Sequence, residues 1–228
     1  MKKYAVIVAG GAGTRMGGDL PKQFMLLKDK PVLYYSLKAF LDAFEDLEVI
    51  LVLPIEYTDM GQEIIDAYFD KERIQITEGG DTRFQSVKNG LELIADESVI
   101  FVHDAVRCLL TTELIHRCYK QAVEKGSAIP VIKSKDSLRL IDKSETRPID
   151  RNNIMLVQTP QTFQSKILLA AYNAEYDEKF TDEATVVENA EQKVSVIEGE
   201  ENNIKITRPV DMMLAEQILE VRTLKSDL

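Results

Sequence analysis

Two cations belong to one glycine-rich region near the start of the chain. Arg15 lies within Gly10-Gly11-Ala12-Gly13-Thr14-Arg15-Met16-Gly17-Gly18, and Lys22 follows Pro21. Backbone N–H groups of such a loop approach a polyphosphate closely because no Cβ intervenes, and the two cations neutralise charge that gathers on it. The apolar run from Tyr4 to Ala9 reads as the buried strand that delivers this loop. A second chemical position is Asp104, at the end of the apolar run Ser98-Val99-Ile100-Phe101-Val102-His103. Open α/β sheets place their ligands at strand ends of this kind. A carboxylate there suits Mg²⁺, which takes oxygen ligands and keeps waters and substrate phosphates around it. The alternative is an N-cap or loop carboxylate paired with Arg107. His103 reads as a packed strand-end side chain and His116 as a surface one.

Two common phosphate loops fail on spacing. A P-loop closes on Gly-Lys-Ser/Thr, where this chain has Gly17-Gly18-Asp19. A dinucleotide fingerprint needs a third glycine three places after Gly13, where Met16 stands. It also needs an acidic residue ending the second strand, where Leu53-Pro54 stands.

The elements that must position these residues alternate. Pro31 marks a helix start, with Leu33, Leu37, Phe40, Leu41 and Phe44 at helical spacing. Glu48 to Leu53 is a continuous apolar strand stopped by Pro54, and a helix through Ile64, Ile65 and Phe69 leads to a short strand near Ile74-Gln75-Ile76. Gly79-Gly80 turns into a helix with Val87, Leu91 and Ile94 on one face, and a helix with Leu114, Ile115, Cys118 and Ala122 stops at Gly126. Later come an apolar run ending at Gln158-Thr159-Pro160, helices around Leu168 and Val187, a strand at Val194 to Ile197, and a last helix bearing Leu214, Ala215, Ile218 and Leu219. Strands apolar on both faces, alternating with helices, predict an α/β fold: a doubly wound, mostly parallel sheet. Residues 133–153 are polar and charged, with short alternating pieces at 137–140 and 146–149. They fit either a disordered loop or an extended β-arm on a partner subunit. The expectation is one domain, 1–228, with 133–153 as a protruding arm.

Composition sets further bounds. A chain of 228 residues with 45% hydrophobic and 29% charged residues is an ordinary globular one. A net charge of -10 argues against nucleic acid or an anionic membrane as a partner, so local cations must hold any anionic ligand. Cys108 and Cys118, with no Cys-x-x-Cys spacing, read as small buried hydrophobes and suggest neither a disulfide framework nor a zinc site. No apolar stretch approaches ~20 residues and no signal segment is evident, so a cytoplasmic setting is expected.

The first loop, with Pro21-Lys22-Gln23-Phe24 after it, resembles that of nucleotidylyltransferases acting on sugar and polyol phosphates. Further pieces follow in order: Gly79-Gly80-Asp81-Thr82-Arg83-Phe84-Gln85-Ser86-Val87, Val102-His103-Asp104-Ala105-Val106-Arg107, Ile149-Asp150-Arg151-Asn152, Thr159-Pro160-Gln161-Thr162-Phe163, Thr181-Asp182-Glu183-Ala184 and Asn203-Ile204-Lys205-Ile206-Thr207-Arg208-Pro209. Over nearly the whole chain this succession resembles the 2-C-methyl-D-erythritol 4-phosphate cytidylyltransferase family of the non-mevalonate isoprenoid pathway. Two departures stand out: Cys108 occupies a position where the family usually has proline, and Ser137 one where threonine also occurs.

The resemblance implies transfer of a cytidylyl group from CTP to a polyol phosphate, with Mg²⁺ as cofactor and pyrophosphate as leaving group. It implies Arg15 and Lys22 as the catalytic cations, and Arg151 with Lys205 as the pair holding the incoming phosphate. Arg107, Thr181, Asp136 and Ser137 are implied around the acceptor. Ala9, Gly10, Gly11, Ala12, Gly13 and Thr14 of the first loop, with Gly80, Asp81, Arg83, Ser86 and Asp104, are implied around the nucleotide. Arg83 and Asp81 have a second reading as residues that pin their loop. The arm is implied to cross to a second subunit, making a homodimer whose Arg151 and Ser137 complete the partner's site. Three rivals remain: a ribitol 5-phosphate cytidylyltransferase, a glycosyltransferase on a similar sheet, and a noncatalytic CTP-binding module. The glycosyltransferase would carry Asp-x-Asp, and Asp104-Ala105-Val106 lacks the second acid. Retention of Arg15, Lys22, Arg151 and Lys205 together argues against the binding module. Asp150-Arg151-Asn152 and the polar arm favour the methylerythritol family over the ribitol one.

Overall fold

The computed structural model describes residues 1–10, 20–142 and 145–226. The strands, in chain order, are β1 (Lys2–Val8), β2 (Leu26–Leu27), β3 (Lys30–Pro31), β4 (Leu47–Leu53), β5 (Ile74–Glu78), β6 (Ser98–Asp104), β7 (Ser127–Lys133), β8 (Leu138–Asp142), β9 (Glu145–Ile149), β10 (Met155–Val157), β11 (Gln161–Gln164) and β12 (Val196–Glu198). The helices are α1 (Val32–Ala43), α2 (Thr58–Tyr68), α3 (Arg83–Leu91), α4 (Thr112–Lys125), α5 (Ser165–Ala171), α6 (Glu183–Asn189) and α7 (Pro209–Ser226). The main sheet runs β10-β7-β11-β6-β1-β4-β5, with β12 also on β7. β1, β4, β5 and β6 are mutually parallel. β11 is antiparallel to both β6 and β7, and β10 is antiparallel to β7.

Alternation along β1 divides the core. Ala5 and Ile7 face a layer built by Leu33, Leu37 and Phe40 of α1 with Leu114 and Ile115 of α4. Tyr4, Val6 and Val8 face Phe84 and Val87 of α3, Leu168 of α5 and Val187 of α6. The sheet is therefore covered on both sides, which is why its inner strands read as unbroken apolar runs. α4 ends at Gly126, whose φ of 87° lies in the left-handed region that a side chain disfavours. A smaller cluster of Leu27, Val32, Cys108, Leu109, Ile206 and Ala215 seats α7 against the start of α1.

In the polar stretch, 138–142 and 145–149 are strands rather than a loop. β8 and β9 form a two-stranded antiparallel hairpin, with Leu138 opposite Ile149 and Asp142 opposite Glu145, separate from the main sheet. Several boundaries differ from expectation: Phe44 and Phe69 each lie one residue past the ends of α1 and α2. Ile94 lies past the end of α3, although it is still buried, and β12 begins at Val196 rather than Val194. Among the described residues no helix is long and apolar enough to cross a membrane.

Candidate active site

The parallel strands β1 and β6 end side by side, with Val8 opposite Asp104, and the cleft opens above them. Ala9, Gly10, Lys22, Gly80, Asp81, Arg83, Ser86, Asp104 and Lys205 all line it. Ala9 is held to the neighbouring strand by its N–H to Val52 O at 2.9 Å, and its carbonyl accepts from Gln23 Nε2 at 2.6 Å. The turn at Gly80 is pinned by Ser86, whose Oγ accepts the Gly80 N–H at 3.1 Å and donates to Thr82 O at 2.9 Å. Thr82 caps α3 by accepting the Gln85 N–H at 3.0 Å. The N-terminus of α3 is thereby fixed at the cleft.

Lys22 and Lys205 arrive from opposite ends of the chain. Lys22 is only 6% exposed, and its Nζ donates to Ile206 O at 3.2 Å. The segment bearing Lys205 is docked by the Ile206 N–H to Val106 O at 3.0 Å, and Lys205 Nζ meets Asp104 Oδ2 at 2.8 Å. Arg83 Nε meets Asp104 Oδ1 at 3.1 Å. Burial alone would raise the Asp104 pKa, but Arg83 and Lys205 outweigh it and hold the carboxyl well below its usual range. The alternative pairing of Asp104 with Arg107 is therefore corrected. Arg107 turns away and donates from Nη1 to Asn203 O at 2.9 Å, because that buried asparagine carries the backbone of the Lys205 segment past it.

His103 sits directly beneath. It is fully buried, and burial lowers its pKa from 6.5 to about 3, so it is neutral. Arg107 O can only accept, so His103 Nε2 carries the proton and donates to it at 3.2 Å. Nδ1 is then an acceptor for the Thr159 hydroxyl at 3.0 Å, and that oxygen accepts the Asp104 N–H at 3.1 Å. The expected packing role holds, and it also fixes the backbone of Asp104. His116 is exposed as expected, with Nε2 against Ala43 O. Both cysteines are buried thiols.

Several expected residues lie elsewhere in the single chain. Arg151 is exposed at the base of the arm and donates from Nη1 to Lys135 O at 2.8 Å. Asp136, Ser137 and Thr181 are exposed and do not line the cleft. Gly11, Ala12, Gly13, Thr14 and Arg15 lie outside the described residues. Sequence reasoning assigned no role to Gln23 or Glu183. Gln23 is buried against Ala9, and Glu183, wholly buried, receives the Arg83 guanidinium. Their presence in the quoted motifs was the available signal, but partners 14 and 100 residues away leave no local spacing to read.

The model of the 2-C-methyl-D-erythritol 4-phosphate cytidylyltransferase family matches residues 4–221. The chain belongs to this family. A relative bearing that name from Bacteroides fragilis is 44% identical over 220 residues, covering 96% of this chain and all of the relative. One from Phocaeicola vulgatus is 41% identical over 219 residues with the same coverage. The crystal structure of 4-diphosphocytidyl-2C-methyl-D-erythritol synthase from Anaerococcus prevotii is similar with a TM-score of 0.82 at 28% identity, over 96% of this chain and 98% of that one. The chain is thus a cytidylyltransferase-family enzyme with the Rossmann-like nucleotidyltransferase fold that its sheet order describes.

Proposed function

We propose that the protein transfers the cytidylyl group of CTP to 2-C-methyl-D-erythritol 4-phosphate, giving 4-diphosphocytidyl-2-C-methyl-D-erythritol and pyrophosphate. The observation that carries the reading is the presence of Lys22 and Lys205 in one cleft at the ends of β1 and β6, in a chain whose residues 4–221 match the family. A phosphate oxygen of the acceptor forms the new bond to the α-phosphorus as the bond to the β-phosphate oxygen breaks. The attacking oxygen is already anionic, so no side chain has to remove a proton. Catalysis then rests on positioning and on charge neutralisation. In this scheme Lys22, with Arg15, meets the charge that passes to pyrophosphate, and Lys205, with Arg151, holds the acceptor phosphate. The Gly80–Ser86 turn and the backbone at Ala9 and Gly10 offer hydrogen-bonding groups for the cytosine edge, whose size alone would admit uracil.

Among the described residues no group of three or more His, Cys, Asp and Glu side chains is placed to hold a metal. The single carboxylate of Asp104 beside a phosphate site is nevertheless a donor set that Mg²⁺ accepts, because that ion is commonly bound by one or two carboxylates plus substrate phosphates. Asp104 would hold the ion through carboxylate lone pairs other than those that meet Arg83 and Lys205, and the ion would supply charge neutralisation on the triphosphate. A homodimer is supported by the exposed arm: an isolated hairpin is marginal in water, and Leu140 and Ile141 are 39% and 71% exposed on it. A cytoplasmic setting fits the two buried free thiols.

The test is pyrophosphate release with Mg²⁺, pairing each of CTP, UTP, ATP and GTP with methylerythritol or ribitol phosphate. Release is expected with CTP and the methylerythritol substrate. Equal rates with all nucleotides would defeat the cytosine assignment, and faster turnover of ribitol phosphate would move the protein to the other acceptor.

A further inference from the structure

A carboxylate with no exposed surface stands behind the cleft. Glu183 opens α6, and its two oxygens take both terminal nitrogens of Arg83, with Nη2–Oε2 at 3.1 Å. The Tyr172 hydroxyl donates to Oε1 at 3.2 Å. An ionised carboxylate is strongly penalised in such a place unless its partners offset the lost hydration, and an apolar side chain would fill the same space without that penalty. The retained charge has a visible use. Arg83 continues from Glu183 to Asp104 Oδ1, and Asp104 Oδ2 receives Lys205 Nζ. Negative and positive groups therefore alternate from the interior to the cleft. The side chain at the inner end is 0% exposed and that of Lys205 at the outer end is 42% exposed. The four residues come from α6, α3, β6 and the segment before α7, so no single element sets the Lys205 ammonium in place.

We infer that Glu183 is a positioning residue for the acceptor site: through Arg83 and Asp104 it holds the Lys205 ammonium where the polyol phosphate binds. This rests on the function proposed above. A lysine on a four-carbon stem is a poorly fixed point charge, and a carboxylate that is itself clamped by a forked guanidinium gives it one direction. Without the Glu183 charge, Arg83 loses two of its three carboxylate contacts, and Asp104 loses a fixed partner on the side away from the cleft.

The experiment is steady-state kinetics of Glu183→Gln beside the parent and Tyr172→Phe. Glutamine keeps the shape and removes the charge. Phenylalanine removes the other partner of Glu183 and leaves the Arg83 fork intact. The KM for methylerythritol phosphate is expected to rise about tenfold in Glu183→Gln, with a several-fold smaller rise in the KM for CTP, because Arg83 and Asp104 also line the nucleotide side of the cleft. Tyr172→Phe is expected to lower the melting temperature and leave both KM values unchanged. A Glu183→Gln protein that is merely less stable, with an unaltered acceptor KM, overturns the inference. If that variant does not fold, Arg83→Lys serves, since an ammonium cannot fork. The same rise in acceptor KM supports the inference and an unchanged KM overturns it. A parent enzyme that releases no pyrophosphate overturns the function itself and this inference with it, whereas an active parent with indifferent variants overturns the inference alone.

Discussion

A neutral imidazole under the cleft links the chemistry of one residue to the pH dependence of the whole protein. His103 has a native pKa of about 3 against an ordinary 6.5, so the unfolded chain takes up a proton first as the pH falls. A depressed native pKa gives a contribution to stability that is complete above the unfolded value and is lost progressively as the pH drops toward the native one. At about 1.4 kcal/mol per pH unit, moving from 6.5 to 5 removes about 2 kcal/mol. Asp104 loses its own contribution only at more acid pH, because its native pKa lies below the usual carboxylate range. Urea unfolding at pH 7 and pH 5 should therefore show a smaller loss in His103→Asn, whose amide oxygen can still accept from Thr159, than in the parent. Equal losses in both would mean that His103 is not buried in its neutral form.

At the scale of elements, α3 lies close against β1 and β4 because Gly90 has no side chain. A Cβ there would stand 2.7 Å from Val6 Cγ1 and 3.1 Å from Val52 Cγ2, both on fully buried valines. Helix propensity alone would make Gly90→Ala stabilising by ~1 kcal/mol. Crowding in a packed core costs ~1–3 kcal/mol, and neither valine has room to retreat, so the net effect should be destabilising by about 1 kcal/mol. Chemical denaturation would read this as a lower midpoint with an unchanged slope, and a higher midpoint would show that propensity wins. The same packing explains what was legible beforehand. β1, β4 and β6 announced themselves because strands covered on both faces must be apolar throughout, and α1 and α4 because one covered face repeats every three or four residues. The polar arm carried no such pattern, since β8 and β9 bury neither face against the chain, and composition could not separate a hairpin from a loop. In the cleft, Lys22, Lys205 and Asp104 were readable as motifs. That Arg83 joins Asp104 to Glu183 was not, because the pairing depends on where α3 and α6 pack and not on any spacing in the chain.

The molecule as a whole presents a cleft with Lys22 and Lys205 in it, while Arg151, Asp136 and Ser137 stand exposed on or beside an arm whose strands β8 and β9, among the described residues, pair only with each other. The exposed apolar side chains of Met155, Leu156 and Val157 on the neighbouring edge strand give a second copy a surface to cover. If the arm of one subunit completes the cleft of the other in a symmetric pair, damage in the two places should complement. Lys22→Ala spoils the site in its own subunit, and Arg151→Ala spoils the site in the partner. Each variant alone should lose about a hundredfold or more in kcat, the scale for deleting a preorganised charge. Chains mixed and allowed to exchange form mixed dimers in about half of cases, with both lesions falling on one site and the other site intact. Activity should then return to about a quarter of the parent value. The assay is pyrophosphate release after equimolar mixing, with the dimer fraction followed by light scattering. Recovery near a quarter requires Arg151 to act across the interface. No recovery despite confirmed subunit exchange would place Lys22 and Arg151 at the same cleft from within one chain, and an active monomer after removal of 138–149 would deny the arm any part in catalysis.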